Sequence, residues 1–222
     1  MNESVSQSKV EAGQAVYSKY TLMAYDAFVL GFSNRYLWRC PTAHIEELYR
    51  KYITSNHLDI GVGTGYFLDH SQFGIPPRIA LMDLNSQTLA FCSKRIARYA
   101  PEIYQRNVLE TIEIDAKPFD SIAINYLLHC LPGNIASKAV VFDYIKPLLK
   151  PEGVVFGSTI LQGDLPRNWG AKKLMAFYNK KRIFSNQHDQ LNDLKQALND
   201  RFSNVSVQVE GCVALFSAKK HQ

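Results

Sequence analysis

The chain has no run of about 18 apolar residues, so no membrane-spanning helix is expected. It also has no C-x-x-C pair. Cys40, Cys92, Cys130 and Cys212 stand far apart in mostly apolar surroundings, which argues against a zinc site or a disulfide framework and for buried free thiols. Residues 1–9 are polar and lack the apolar core of an export signal, so a disordered start and a soluble, cytoplasmic protein are expected. Repeats and low-complexity tracts are lacking too. So is a basic stripe: 25 Lys and Arg against 20 Asp and Glu give a net charge of +5, and the densest run, Lys172-Lys173 with Lys180-Lys181-Arg182, reads as a solvated helix face. A nucleic-acid partner is therefore not expected.

What is present is an ordinary globular composition, 46% hydrophobic over 222 residues, enough for one sizeable core. Apolar residues recur at helical spacing over residues 10–38, where Tyr17, Tyr20, Tyr25, Tyr36 and Trp38 are either a core stripe or part of a lid; Tyr20 and Tyr25 fit a lid best. Pro41 suits the first residue of a helix carrying Ile45, Leu48 and Ile53. Strands are then expected at residues 57–60, 78–82, 103–107, 119–125 and 154–160. Between them fall helices, one capped by Ser86 with Leu89, Cys92 and Ile96 on its inner face, another capped by Asn134 or Ser137 and running through Leu149. This alternation predicts a doubly wound α/β fold with a mostly parallel sheet. After Leu161 come two helical segments, near residues 169–181 and 188–202, and two strands, 205–209 and 212–216, which a turn at Glu210-Gly211 makes antiparallel. The whole is expected to be one domain, residues 10–54 forming a helical lid and residues 161–200 a helical insert near a second pocket.

The most informative stretch is Asp59-Ile-Gly-Val-Gly-Thr-Gly65, a buried strand entering a glycine-rich turn ahead of the helical run Tyr66-Phe-Leu68. Open parallel sheets bind ligands beyond the carboxyl ends of their strands, where strand order reverses. The residues at those ends here include Gly61, Asp83, Asn107 and Asn125. A carboxylate at Asp83, 18 residues past Gly65, is placed to accept both hydroxyls of a ribose.

Two readings share this pattern, a dinucleotide dehydrogenase and an S-adenosylmethionine (SAM) methyltransferase. They part on charge. A pyrophosphate wants an unopposed helix N-terminus and a third glycine where this chain has Tyr66, and Asp59 would repel it. A sulfonium bearing an α-ammonium group gains from the same carboxylate.

On these motifs the chain resembles the class I SAM-dependent methyltransferases. The first motif is Asp59-Ile-Gly-Val-Gly-Thr-Gly65, the second Leu81-Met-Asp83, the fourth Phe119-Asp-Ser-Ile-Ala-Ile-Asn125, followed by Leu149-Lys-Pro-Glu-Gly153. The resemblance implies a Rossmann-like methyltransferase fold, a seven-stranded sheet with a reversed C-terminal hairpin. SAM is the implied cofactor, S-adenosyl-L-homocysteine the product and a small molecule the acceptor. It further implies that Gly61, Val62 and Gly63 approach the methionine moiety, that Asp59 meets its ammonium and that Asp83 holds the ribose. Leu84 would cover adenine, Asn107 and Val108 would meet its edge, and Asn125 would face the methionine or sulfonium. Tyr20, the lid candidate of the front segment, is added to the cofactor-binding set on its aromatic pattern.

The remaining alternatives are a fold member that binds SAM or another nucleoside without turnover and, disfavoured by Asp59 and Tyr66, an NAD(P)-dependent oxidoreductase. Methyl transfer needs no metal, and needs a base only where the acceptor is protonated; His129, just past the fourth strand, is the candidate. His188 and Asp189 read as a helix cap rather than a site. Asn125-Tyr-Leu-Leu128 departs from the Asn-Pro-Pro-aromatic motif of the related amino-group methylases, and the aromatics near Phe177 and Tyr178 suggest an enclosed, partly apolar acceptor pocket. The residues do not separate O-, N- and C-methylation.

Overall fold

The computed structural model describes residues 26–163 and 165–221; the expectations for residues 1–9 and for Tyr17, Tyr20 and Tyr25 lie outside the described residues. Among these residues seven strands form one sheet: β1 (Asn56–Ile60), β2 (Arg78–Asp83), β3 (Glu102–Gln105), β4 (Phe119–Asn125), β5 (Leu149–Ile160), β6 (Ser203–Glu210) and β7 (Val213–Lys219). Their spatial order is β3-β2-β1-β4-β5-β7-β6. Neighbours from β3 to β5 pair in parallel, and β7 pairs antiparallel with both β5 and β6. The doubly wound fold with a reversed hairpin is thus the one expected from the alternation of elements.

The central strands are buried along nearly their whole length, as strands covered on both faces must be. β6, at the sheet edge, instead alternates half-buried Val205, Val207 and Val209 with exposed Asn204, Ser206 and Gln208. One face packs Leu58, Ile60, Ile122 and Ile124 against Phe142 and Ile145 of α5 (Val140–Ile145) and Leu194 and Leu198 of α7 (Leu191–Asn199). The other packs Leu81, Ala123 and Phe156 against Ile45 and Tyr49 of α1 (Thr42–Tyr52), Leu89 and Cys92 of α3 (Ser86–Arg95), and Met175 of α6 (Trp169–Lys180).

Several boundaries differ from the sequence expectation for local reasons. α3 is capped by Asn85, one residue before Ser86, because the Asn85 side chain accepts from the N–H groups of Gln87 and Thr88. The helix expected to run through Leu149 breaks into α4 (Ile135–Lys138), α5 and a 3-10 turn at Lys146–Leu148, whose Pro147 suits the start of that turn but could not have continued a helix. Asn134 and Ser137 both contribute to its start, as a reciprocal capping box. β3 ends at Gln105, so Asn107 lies beyond the strand. The final hairpin turns at Gly211-Cys212, since Glu210 is still paired with Val213.

A helix of π type, Asp26–Trp38, precedes α1 and crosses the carboxyl edge of the sheet. Its Asp26 accepts from the Thr64 hydroxyl at 2.6 Å and pairs with Arg95 at 2.6 Å, while its Asn34 accepts from the Tyr126 hydroxyl at 2.9 Å. Trp38 is core, 1% exposed, whereas Tyr36 is exposed. The four cysteines are free, three buried and Cys130 half-buried. No helix among the described residues is long and apolar enough to cross a membrane.

Candidate donor site

The chain runs outward from β1 through β2 to β3, then returns to place β4 on the other side of β1. This reversal opens a cleft at the carboxyl edge. β1 passes into it through the turn at residues 61–65, which leads to α2 (Tyr66–His70) and is held by Gly61 N–H to Met82 O and Gly65 N–H to Val62 O, both 2.9 Å. Gly61, Gly63 and Gly65 have φ of 72°, 52° and 74°, a left-handed region that side chains rarely adopt. Their surroundings differ. A Cβ on Gly63 would meet nothing within 4 Å, which leaves backbone facing open space, whereas one on Gly65 would lie 2.6 Å from the Cys92 sulfur. Gly65 therefore allows α3 to approach the turn, while Gly63 keeps the cleft wall bare.

Asp83, at the end of β2, occupies the opposite side of the turn. Its Oδ1 accepts from Asn85 N–H at 2.8 Å. Burial pushes its carboxyl up to about 6, against the opposing pull of the N–H groups of Asn85, Leu84 and Val62. Leu84, Asn107 and Val108 continue the wall beyond it, and Asn125 and Tyr126 close the β4 side. The Asn107 carbonyl already accepts from Leu109 N–H at 3.1 Å, and its amide donates to Glu110 at 2.7 Å. Asn125 is 7% exposed; its Oδ1 accepts from the Ser158 hydroxyl at 2.9 Å, and its Nδ2 completes no hydrogen bond. A buried amide donor left over at a cleft wall is costly unless a ligand takes it.

Gly61, Gly63, Asp83, Leu84, Asn107, Val108 and Asn125 are thus brought together along one cleft. The other candidates stand elsewhere. Asp59 is 4% exposed beneath the turn, where the Tyr49 hydroxyl donates to its Oδ2 at 2.6 Å. Val62 turns its side chain into the core and offers only its N–H to Asp83. Tyr20 lies outside the described residues.

His129 does not line the cleft, and its geometry runs against the general-base expectation. The ring is 2% exposed, packed edge-on against Tyr126 and Phe184 at 5.5 and 4.5 Å. Its Nδ1 accepts the Ile160 N–H at 3.2 Å, which assigns the ring proton to Nε2 and engages the lone pair a base would use. Burial, and secondarily the charge of Lys138, lowers its pKa to about 3. The largely apolar sequence around position 129 gave no sign of this, because the backbone donor comes from β5. Of the insert aromatics, Phe177 is exposed, and Tyr178 packs on Phe184 at 4.8 Å rather than on the cleft. His188 is exposed, while Asp189 is buried in an ion pair with Lys138 at 2.6 Å.

Leu127 and Tyr126 are among the cleft residues that sequence reasoning missed. Leu127 packs beneath Gly61, whose Cβ would come within 3.1 Å of it. Tyr126 has φ of 53° and reaches back to Asn34. A tyrosine directly after the motif at Asn125 was visible, but its left-handed backbone was not.

Residues 58–155 match the family model described as a methyltransferase domain. Demethylluteothin O-methyltransferase of Streptomyces thioluteus is 36% identical over 207 residues, 93% of this chain and 90% of that protein. The physcion biosynthesis cluster O-methyltransferase of Aspergillus chevalieri is 38% identical over 212 residues, 95% and 96% of the two chains. Among solved structures, the DhpI complex with S-adenosylhomocysteine superposes with a TM-score of 0.68 at 16% identity, covering 98% of this chain and 99% of that one.

Proposed function

We propose that this chain, which belongs to the class I SAM-dependent methyltransferases and is a SAM-dependent enzyme, transfers the methyl group to an acidic hydroxyl of a small organic acceptor, such as a phenol or an enol. The observation that carries the donor half is the meeting of three features at one reversal of strand order. These are bare backbone at Gly63, a carboxylate at Asp83 and an orphaned amide at Asn125. They fit SAM in order. Asp83 would hold the ribose hydroxyls, Leu84 and Val108 would flank adenine, and the turn and Asn125 would meet the methionine end. Asn107, its carbonyl already in a turn, keeps one lone pair for the adenine amino group.

When bound, SAM supplies a methyl group on a cationic sulfur. The residues of this chain orient and shield rather than exchange protons. The wall past Asn125, formed by Tyr126, Leu127, Cys130 and Leu131, is largely apolar and excludes water from the acceptor side. Alignment of this kind can lower a barrier by roughly 7 to 11 kcal/mol. Because the His129 lone pair is engaged, an acceptor that ionises readily by itself is favoured over one that must be deprotonated by the protein. The two relatives named as O-methyltransferases support oxygen as the receiving atom.

The test is direct. The purified chain is incubated with SAM carrying a radiolabelled methyl group and with size-matched phenols, enolic lactones and aromatic amines. Label is expected on the phenols or enols. Label confined to the amines would overturn the oxygen assignment, and binding of NAD without SAM would overturn the donor assignment.

A further inference from the structure

Tyr49 lies on α1, outside the residues 58–155 that match the family model. It is 3% exposed, and its ring is fixed by stacking on Phe67 at 5.0 Å and by the edge of Phe156 at 5.2 Å. A ring held on two sides cannot swing, so the direction of its hydroxyl is set by packing rather than by the hydrogen bond it makes. That hydroxyl donates to Asp59 Oδ2 at 2.6 Å. His57 Nε2 stands 3.8 Å from the same oxygen and completes no hydrogen bond, so Tyr49 is the group that orients this carboxylate.

The other side of the phenolic oxygen faces β4. On the same sheet face Asn125 stands two residues beyond Ala123, the β4 partner of Asp59, and its Nδ2 completes no hydrogen bond within the protein. Asn125 Oδ1 is held by the Ser158 hydroxyl, so the amide cannot flip without losing that bond. One phenol therefore stands between the acid under the glycine turn, on β1, and the amide at the cleft wall, on β4. These two groups flank the aminoacyl end of the donor site.

We propose that Tyr49 is a positioning residue for that end. Its hydroxyl fixes the Asp59 carboxylate beneath the turn and leaves the Asn125 amide free to donate to a bound α-amino acid moiety. The inference rests on the cleft being the donor site. Its consequence is selective: loss of the hydroxyl weakens ligands that carry the amino acid portion and spares those that lack it.

Tyr49→Phe removes only the hydroxyl. Isothermal calorimetry would compare S-adenosylhomocysteine, which carries the aminoacyl end, with 5′-methylthioadenosine, which shares the adenine, ribose and sulfur without it. The expected result is about a tenfold weaker S-adenosylhomocysteine affinity with 5′-methylthioadenosine within about twofold of wild type. In an Asp59→Asn background the further loss from Tyr49→Phe is expected to shrink to less than about twofold, since the two groups act as a unit. Equal weakening of both ligands would reduce Tyr49 to general packing and overturn the proposal, as would an unchanged S-adenosylhomocysteine affinity. A wild-type chain that binds neither nucleoside overturns the donor-site reading together with this one. Thermal denaturation of each variant shows whether it is folded.

Discussion

The donor cleft and the polar cluster under the insert are both built from buried polar groups, and they differ in what those groups are bonded to. In the cleft, Asn125 keeps an orphaned amide, Gly63 exposes its backbone and Asp83 holds a carboxyl raised to about 6. In the cluster, Lys138 donates to Asp189 at 2.6 Å and to Ser185 O at 2.7 Å. Asn186 donates to Ile160 O at 3.0 Å and accepts from Asn179 at 2.9 Å, and His129 accepts from Ile160 N–H. Polar groups that answer one another within the protein, Asp189 Oδ1 excepted, hold the insert against β5. Those left partly unanswered around an opening define where a ligand supplies the missing partners.

The largest way to break this contrast is in the cluster. Lys138→Met leaves Asp189 ionisable and buried, with Oδ1 already lacking a hydrogen bond. A loss of about 3–5 kcal/mol in urea denaturation is expected, and much of it should return in Lys138→Met with Asp189→Leu. A loss under about 1 kcal/mol would mean that the pair is not what anchors the insert.

Asp83→Ala reverses the pattern. SAM affinity should fall by about a hundredfold, because two hydrogen bonds to a charged acceptor are lost. The fold without ligand should be as stable or more so near neutral pH. The raised carboxyl pKa means that the folded state favours the protonated form, so this residue's stabilising contribution is present below its ordinary value near 3.8 and is lost as pH rises through about 6. Binding has the opposite sign, since the ribose hydroxyls need the ionised form. Wild-type affinity for SAM is expected to decline about tenfold per unit as pH drops below about 6, with Asp83→Ala flat over the same range. A wild-type profile flat between pH 5 and 7 would remove Asp83 from the ribose site.

His129→Ala has the smallest expected effect on chemistry. It strands the Ile160 N–H and opens a cavity beside Phe184, which should cost about 2–3 kcal/mol of stability. Turnover per folded molecule should change by less than about fivefold, with the shape of its pH profile preserved. A hundredfold fall in turnover with stability intact would restore His129 as the base.

The glycine turn, the placing of Asp83 and Asn125 at strand ends and the alternation of strands with helices were legible in the sequence because each depends on local backbone demands. Positive φ favours glycine, a strand end exposes its last polar residue, and alternating helices and strands leave few topologies. The inner face of α3 was legible for the same reason, and Leu89, Cys92 and Ile96 are indeed buried. What only the tertiary structure decided was which distant group each side chain meets. The backbone of β5 took the His129 lone pair, and α1 brought the Tyr49 hydroxyl to Asp59. Those partners lie 31 and 10 residues away along the chain. No periodicity or motif relates them, because the contacts arise only when separate elements stack on one sheet.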